Sequence, residues 1–328
     1  MIAWDRLSKM VRPSSTLSER VRRAVQARET LGEDFFGGWQ PSDIELFQRH
    51  ARRSDPTQDK ITDFLGVKTT ASLHPWAAHM SGTVNADIPV PDDSLRAEAI
   101  EYFALLHSIE SSPMDSFTIV ELGASYGPWV CAGAIVAGRT GRSRIQLTAV
   151  EASRLLFDFI PVHLAENEVA TDRDHIRLIN GAVSTHPGTM YFPKVQSPAE
   201  NGSQAINGLT DMDYLGRKVE HEEVIAYTLP DLLPEGVTDL LHMDIQGSET
   251  AVLQTNIALL NERVRGVFVG IHSRKIEGEL LELFHSSGWS LMRERPTKFA
   301  CHPDRSDIVG WTTRDGGQYW RNPLKELK

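Results

Sequence analysis

Two glutamates, an aspartate, an imidazole and a glycine turn are the residues of this sequence best suited to chemistry. Glu121, Gly123, Ala124 and Gly127 lie in FTIVELGASYGPW, residues 117–129, where an apolar, β-branched run passes into glycines and then a proline. A buried strand wants the first half of that segment, and a turn whose backbone must come close to a ligand wants the glycines. Pro128 suits the first position of a following helix. Glu151 closes a second apolar run, where a carboxylate can accept both hydrogen bonds of a ribose diol. Asp244 and His272 close two more. An imidazole titrates near neutrality and suits a general base, and an aspartate beside it can orient either the imidazole or a hydroxyl. The same pair also offers two ligands for a divalent metal that would lower a hydroxyl's pKa. A helix-capping aspartate and a histidine satisfied by backbone are the structural alternatives. For His272, base, metal ligand and structural role all stay open at this point.

These residues meet only if each stands at the carboxyl end of a parallel strand, where open α/β sheets bind their ligands. The pattern after residue 116 supplies that arrangement. Strand-like runs at 117–122, 145–150, 176–179, 238–243 and 267–271 alternate with helical stretches, as in a doubly wound, mostly parallel α/β sheet. Their ends present the glycine turn, then Glu151, then Asn180 with Gly181 and Ala182, then Asp244, then His272. Small residues from Cys131 to Ala134 let the first helix approach the sheet, Ser153 can cap the next, and Pro161 should break it. An amphipathic helix over 276–284 precedes two further strands at 289–293 and 308–312, which pair most simply as antiparallel neighbours. The polar loop 193–216 stands where a substrate loop would lie. Residues 1–114 read as a mainly helical extension and 115–328 as the ligand-binding domain. The extension holds a capping-box pattern at Thr16 and Glu19, a helix after Ser42, a proline-interrupted loop over 54–92 and a helix from 93 with Leu95, Ala99, Phe103 and Leu106 on one face. It is expected to pack over the cleft or to form a homodimer contact.

Composition removes several classes of function. The chain has 328 residues with 34 lysines and arginines against 44 aspartates and glutamates, a net charge of −10, which argues against nucleic acid as a partner. Two cysteines, Cys131 and Cys301, are too few for a disulfide framework and fit a reducing, cytoplasmic setting. No apolar run reaches the roughly 18 residues of a membrane span, and no signal-peptide core is present. The remaining histidines, His74 and His242 among them, lack metal-ligand spacing and read as core or surface residues.

The identity of the ligand turns on Ser125 and Glu121. A dinucleotide fingerprint needs glycine where Ser125 stands, and its pyrophosphate would meet the carboxylate of Glu121. A phosphate-free, cationic nucleoside compound such as S-adenosylmethionine suits that carboxylate better, which leaves an NAD-dependent oxidoreductase as the alternative and a non-catalytic cofactor-binding domain as a third reading. Residues 120–127 (VELGASYG), Glu151 and above all residues 241–249 (LHMDIQGSE) resemble the FkbM-like branch of the class I S-adenosylmethionine-dependent methyltransferases. That branch carries I-D-V-E-G-x-E after a strand; here Gln246 replaces the first glutamate of the motif. The resemblance covers residues 117–311 and implies a seven-stranded, Rossmann-like sheet with a terminal antiparallel hairpin. It further implies that Glu121, Gly123 and Gly127 hold the methionine end of the cofactor, that Glu151 holds its ribose, and that Gly181, Ala182 and Val183 lie near the adenine. The implied reaction is O-methylation of a small-molecule or glycan hydroxyl. Glu249, in the first turn of a helix, is expected to stabilise that helix's positive end.

Overall fold

The structure, a computed structural model, describes residues 37–90, 97–170, 175–198, 200, 202–212, 218–301 and 311–325. The expected features at Thr16, Glu19 and Leu95 lie outside these residues. Seven strands form the central sheet: β1 Ser116–Leu122, β2 Arg144–Glu151, β3 Ile176–Asn180, β4 Leu240–Met243, β5 Gly266–Ile271, β6 Ser290–Arg295 and β7 Gly316–Arg321. Their spatial order is 3-2-1-4-5-7-6, with β7 antiparallel to both neighbours and every other pair parallel. The direction of winding reverses between β1 and β4, which opens a crevice beyond their carboxyl ends.

The helices are α1 Asp43–His50, α2 Ala99–Glu110, α3 Pro128–Arg139, α4 Arg154–Phe157, α5 Phe159–Glu166, α6 Leu229–Leu232, α7 Glu249–Thr255, α8 Ile257–Arg263 and α9 Arg274–Ser286. Local chemistry accounts for their limits. Ser153 accepts the Leu156 N–H at 3.3 Å and opens α4. Pro161 has no N–H for the carbonyl of Phe157, and the helix divides at Asp158, between α4 and α5. At α1 the expected cap, Ser42, makes no side-chain capping bond, and the first helical residue, Asp43, accepts the Gln40 N–H at 2.7 Å and pairs with Arg293.

Alternation along the strands sends side chains into two cores, one on each face. On one face Phe117, Ile119, Phe268 and Tyr319 pack with α2 and α3, and on the other Val120, Leu122, Val267 and Trp320 pack with α7, α8 and α9. The first core also takes Trp39, Phe47, Phe64 and Tyr102, so residues before and after 115 share one hydrophobic interior. Tyr319 ties the two stretches through Ser108 Oγ at 2.8 Å and His107 Nδ1 at 3.1 Å.

Two sequence expectations need correction, and one small sheet was not foreseen. The last strand of the sheet is β7; of the strand expected at 308–312, residues 308–310 lie outside the described residues, and Thr312–Arg314 pairs with Lys298–Phe299 in a two-stranded ribbon. Two glycines at the start of β7 hide it, and Gly317 is needed because a Cβ there would come within 3.1 Å of the Phe268 ring. The loop over 54–92 contains a small sheet made of Lys60–Thr62, Lys68–Thr70 and Thr83–Val84. Around the presumed substrate loop lies another three-stranded sheet, in which His221–Tyr227 pairs with both Ala182–Val183 and Gly188–Pro193. Its central strand, HEEVIAY, keeps only Val224 and Ala226 buried and so carries a weak strand signal.

Candidate active site

The glycine turn is built by close approach. Gly123 and Gly127 have φ of +75° and +77°, and a Cβ on Gly123 would run into the carbonyl of Asp244. The Gly123 and Ala124 N–H groups donate to the Val150 carbonyl, each at 2.9 Å, which pins the turn against β2. Ser125 takes φ +49° without being glycine, and Gln246, across the crevice, takes +59°. Positive φ at non-glycine residues is costly and tends to gather at functional sites.

Glu151 sits behind the turn. It accepts the Ser125 N–H and the Ser153 N–H, each at 2.7 Å, and the side chain of Asn180 anchors the same loop by donating to the Glu151 carbonyl at 2.9 Å. Burial pushes the Glu151 carboxyl up to about 7, against the pull of those backbone donors. Glu121 is also buried, and its two oxygens accept the N–H groups of Trp129 and Val130 at 3.2 and 2.8 Å. It therefore caps the first turn of α3, and burial pushes it up to about 8 despite those bonds.

At the ends of β4 and β5 stands a carboxylate–imidazole–carboxylate group. His272 Nε2 lies 3.1 Å from Asp244 Oδ1 and its Nδ1 lies 3.1 Å from Glu249 Oε1. Burial alone would lower the His272 pKa, but the two carboxylates outweigh it and hold the ring well above its ordinary value, as an imidazolium. Burial likewise disfavours an ionised Asp244, yet the His272 charge and hydrogen bond keep it below the usual carboxylate range. Gln246 Nε2 adds a bond to the same Oδ1 at 3.1 Å. Oδ2 is thus the oxygen left for a ligand, and the Asp244 side chain is 38% exposed. Gly270 on β5 makes room for this carboxylate, since a Cβ there would come within 3.0 Å of its Cγ. Glu249 is fully buried and accepts the N–H groups of Ile245 and Gly247, so it stabilises the 245–247 turn as well as His272.

Two cavities share Gly123, Ser125 and Asp244 as a common wall. The first also brings together Glu151, Gly181 and Ala182, with Val183 beside them. Glu121 and Ala124 line the second cavity instead, while Gly127 and His272 line neither. His272 stands behind Asp244, 5% exposed. Gly181 has a packing reason of its own: a Cβ would meet the Tyr227 ring at 2.6 Å and the Ile225 carbonyl at 2.7 Å. Gly181→Ala should therefore cost roughly 1–3 kcal/mol through overpacking, read as a lowered urea midpoint. Sequence reasoning missed the work of Asn180, Gln246 and Gly270 and gave Glu249 only part of its role.

The ligand atoms of Asp244, Glu249 and His272 lie within 4.8 Å of one another, which raises the question of a divalent cation. The donor set fits one poorly. Glu249 is already occupied by two backbone N–H groups and by His272 Nδ1, and Asp244 Oδ1 already takes His272 Nε2 and Gln246 Nε2.

Comparison with known proteins adds three findings. The chain matches the family described as the methyltransferase FkbM domain over residues 130–294, a span that includes Glu151, Asp244, Glu249 and His272 but begins beyond the glycine turn. A curated relative from Jannaschia sp. (strain CCS1), named "Putative methyltransferase", is 28% identical over 253 residues, covering 76% of this chain and 88% of the relative. Among solved structures, precorrin 8w decarboxylase of Methanobacterium thermoautotrophicum aligns at 10% identity and a TM-score of 0.37, over 70% of this chain and 94% of that one. Precorrin-6y C5,15-methyltransferase of Geobacter metallireducens GS-15 aligns at 8% identity and 0.35, over 68% and 87%.

Proposed function

The chain belongs to the FkbM methyltransferase domain family, and from that premise we propose that it transfers the methyl group of S-adenosylmethionine to a hydroxyl oxygen of a small molecule or glycan. The observation that carries this reading is the single cleft in which Glu151, the Gly123 turn and Asp244 stand together. When bound, S-adenosylmethionine supplies a methyl group on a sulfonium, open to in-line attack. Each oxygen of Glu151 keeps a lone pair beyond its backbone bond and is suited to the two ribose hydroxyls. Asp244 Oδ2 is placed to accept the acceptor's hydroxyl proton, while His272 and Gln246 fix the carboxylate from behind. His272 then acts as a positioning residue, because both of its nitrogens are engaged and it is already protonated.

Glu121 supports the choice of a nucleoside over a dinucleotide. The Trp129 and Val130 N–H groups that a pyrophosphate would use at the start of α3 are taken by its carboxylate. The donor set around His272 likewise favours transfer assisted by a carboxylate over transfer assisted by a metal, so EDTA should leave turnover unchanged. Loss of turnover that magnesium restores would select the metal arrangement.

Calorimetry with S-adenosylhomocysteine tests the reading: saturable binding is expected, and its absence would end it. Affinity should also depend on pH. Glu151 must be ionised to accept the ribose hydroxyls, and burial has moved its pKa up to about 7. Binding should be strongest above pH 7 and weaken by up to about tenfold per unit below it, because protonation of the free protein competes with the ligand. A flat profile between pH 5.5 and 8.5 would remove Glu151 from the ribose site.

A further inference from the structure

The second cavity is walled largely by residues outside the cofactor cleft. His74 and Trp76 come from the segment around the Pro75–Met80 turn, Glu101 from the first turn of α2, and His242 from β4, where it pairs in register with Glu121 of β1. Two of these side chains have unmet hydrogen-bonding capacity. His242 is 3% exposed, held between the rings of Trp129 and Phe268, and neither of its nitrogens makes a hydrogen bond among the described residues. Its Nε2 comes within 3.5 Å of Glu101 Oε1, an approach too long for a good bond. His74 is also 3% exposed and uses Nε2 on the Tyr126 hydroxyl, at 3.1 Å, while its Nδ1 has no partner. Buried polar atoms in folded proteins are nearly always satisfied, and those that line a cavity can be met by water or by the polar groups of a ligand.

The cavity's chemistry restricts that ligand. Its titratable walls are Glu101, Glu121, Asp244 and two imidazoles, and no lysine or arginine lines it among the described residues. Burial lowers the His74 pKa to about 4, so that ring is neutral and offers no charge to an anion. Indole and phenol faces at Trp76, Tyr126 and Trp129 give flat apolar surface for a ring. Asp244 stands in the partition between this cavity and the cofactor cleft, and so faces both.

We propose that this cavity is the acceptor site, that His74, Glu101 and His242 bind the acceptor's hydroxyls, and that the site takes an uncharged, ring-bearing alcohol and rejects an anionic one. The inference rests on the methyltransferase reading above and places acceptor selection partly in residues that precede the first strand of the sheet.

The test uses the full chain saturated with S-adenosylhomocysteine and two probes that differ at one carbon, phenyl β-glucopyranoside and phenyl β-glucuronide, followed by calorimetry and ligand-observed NMR. The uncharged glucoside should bind at least tenfold more tightly than the glucuronide. His242→Phe keeps the ring stack and removes both nitrogens; it should weaken the glucoside at least tenfold while the S-adenosylhomocysteine Kd stays within twofold. Glu101→Gln, which keeps the helix-capping amide geometry, should narrow the preference between the two probes. Equal affinities, no binding of either probe, or an equal loss of cofactor and probe affinity in His242→Phe would each overturn the assignment. Failure of S-adenosylhomocysteine itself to bind would instead remove the methyltransferase reading, which separates the two outcomes.

Discussion

Asp244→Asn should lower methyl transfer by about 10²–10³-fold, the usual worth of a positioned acid–base group. Asparagine still accepts from His272 Nε2 through its carbonyl oxygen, so the contacts at Oδ1 survive. What disappears is the free carboxylate oxygen proposed to take the acceptor's proton. The readout is transfer of label from S-adenosylmethionine to whichever alcohol the wild-type protein methylates, with the S-adenosylhomocysteine Kd measured in parallel. That Kd should move by less than about threefold, because loss of an interaction made only in the transition state lowers turnover and not cofactor binding. Turnover within threefold of wild type would take Asp244 out of the mechanism.

Glu249→Leu should be the most destabilising substitution at the site. The carboxylate is fully buried, and its removal leaves the N–H groups of Ile245 and Gly247 unpaired and the charge on His272 held by Asp244 alone. Breaking a buried ion pair from one side costs about 3–5 kcal/mol, and that loss should appear as a lower urea midpoint with an unchanged slope. Glu249→Gln can keep one backbone bond and should recover part of the loss. Full stability in the leucine variant would show that the 245–247 turn and His272 are supported elsewhere.

The parts of this site that sequence makes legible are those set by local chemistry. Glu151 can be read because an acid directly after an apolar run marks a strand end, and the glycines of 123 and 127 because their backbone conformations exclude most other residues. The link between His272 and Glu249 joins residues 23 apart and depends on the parallel register of β4 and β5, which leaves no trace in short-range spacing. Glu121 shows the same limit in another way. Its position beside the turn is plain, but its bonds to Trp129 and Val130 require the helix to fold back over the strand end. β7 escapes notice because it opens with two glycines, Gly316 close against the Arg295 carbonyl and Gly317 against the Phe268 ring. The shared interior of residues 39–109 and the sheet is likewise a long-range property: Phe47, Phe64 and Tyr102 read as helix or loop apolar residues until Phe117 and Tyr319 are placed beside them.

The insertion of β7 between β5 and β6 also governs how the protein comes into being. A ribosome adds roughly 5–20 residues per second, so β5 and β6 emerge seconds before Gly316–Arg321 can join them. Through that interval each presents an open strand edge, the kind of surface on which nascent chains pair with one another. The same strand brings Tyr319 to Ser108, which closes the face carrying α2. The unfinished sheet is therefore more open to pairing with another chain than the finished one, in which β5 is covered on both sides.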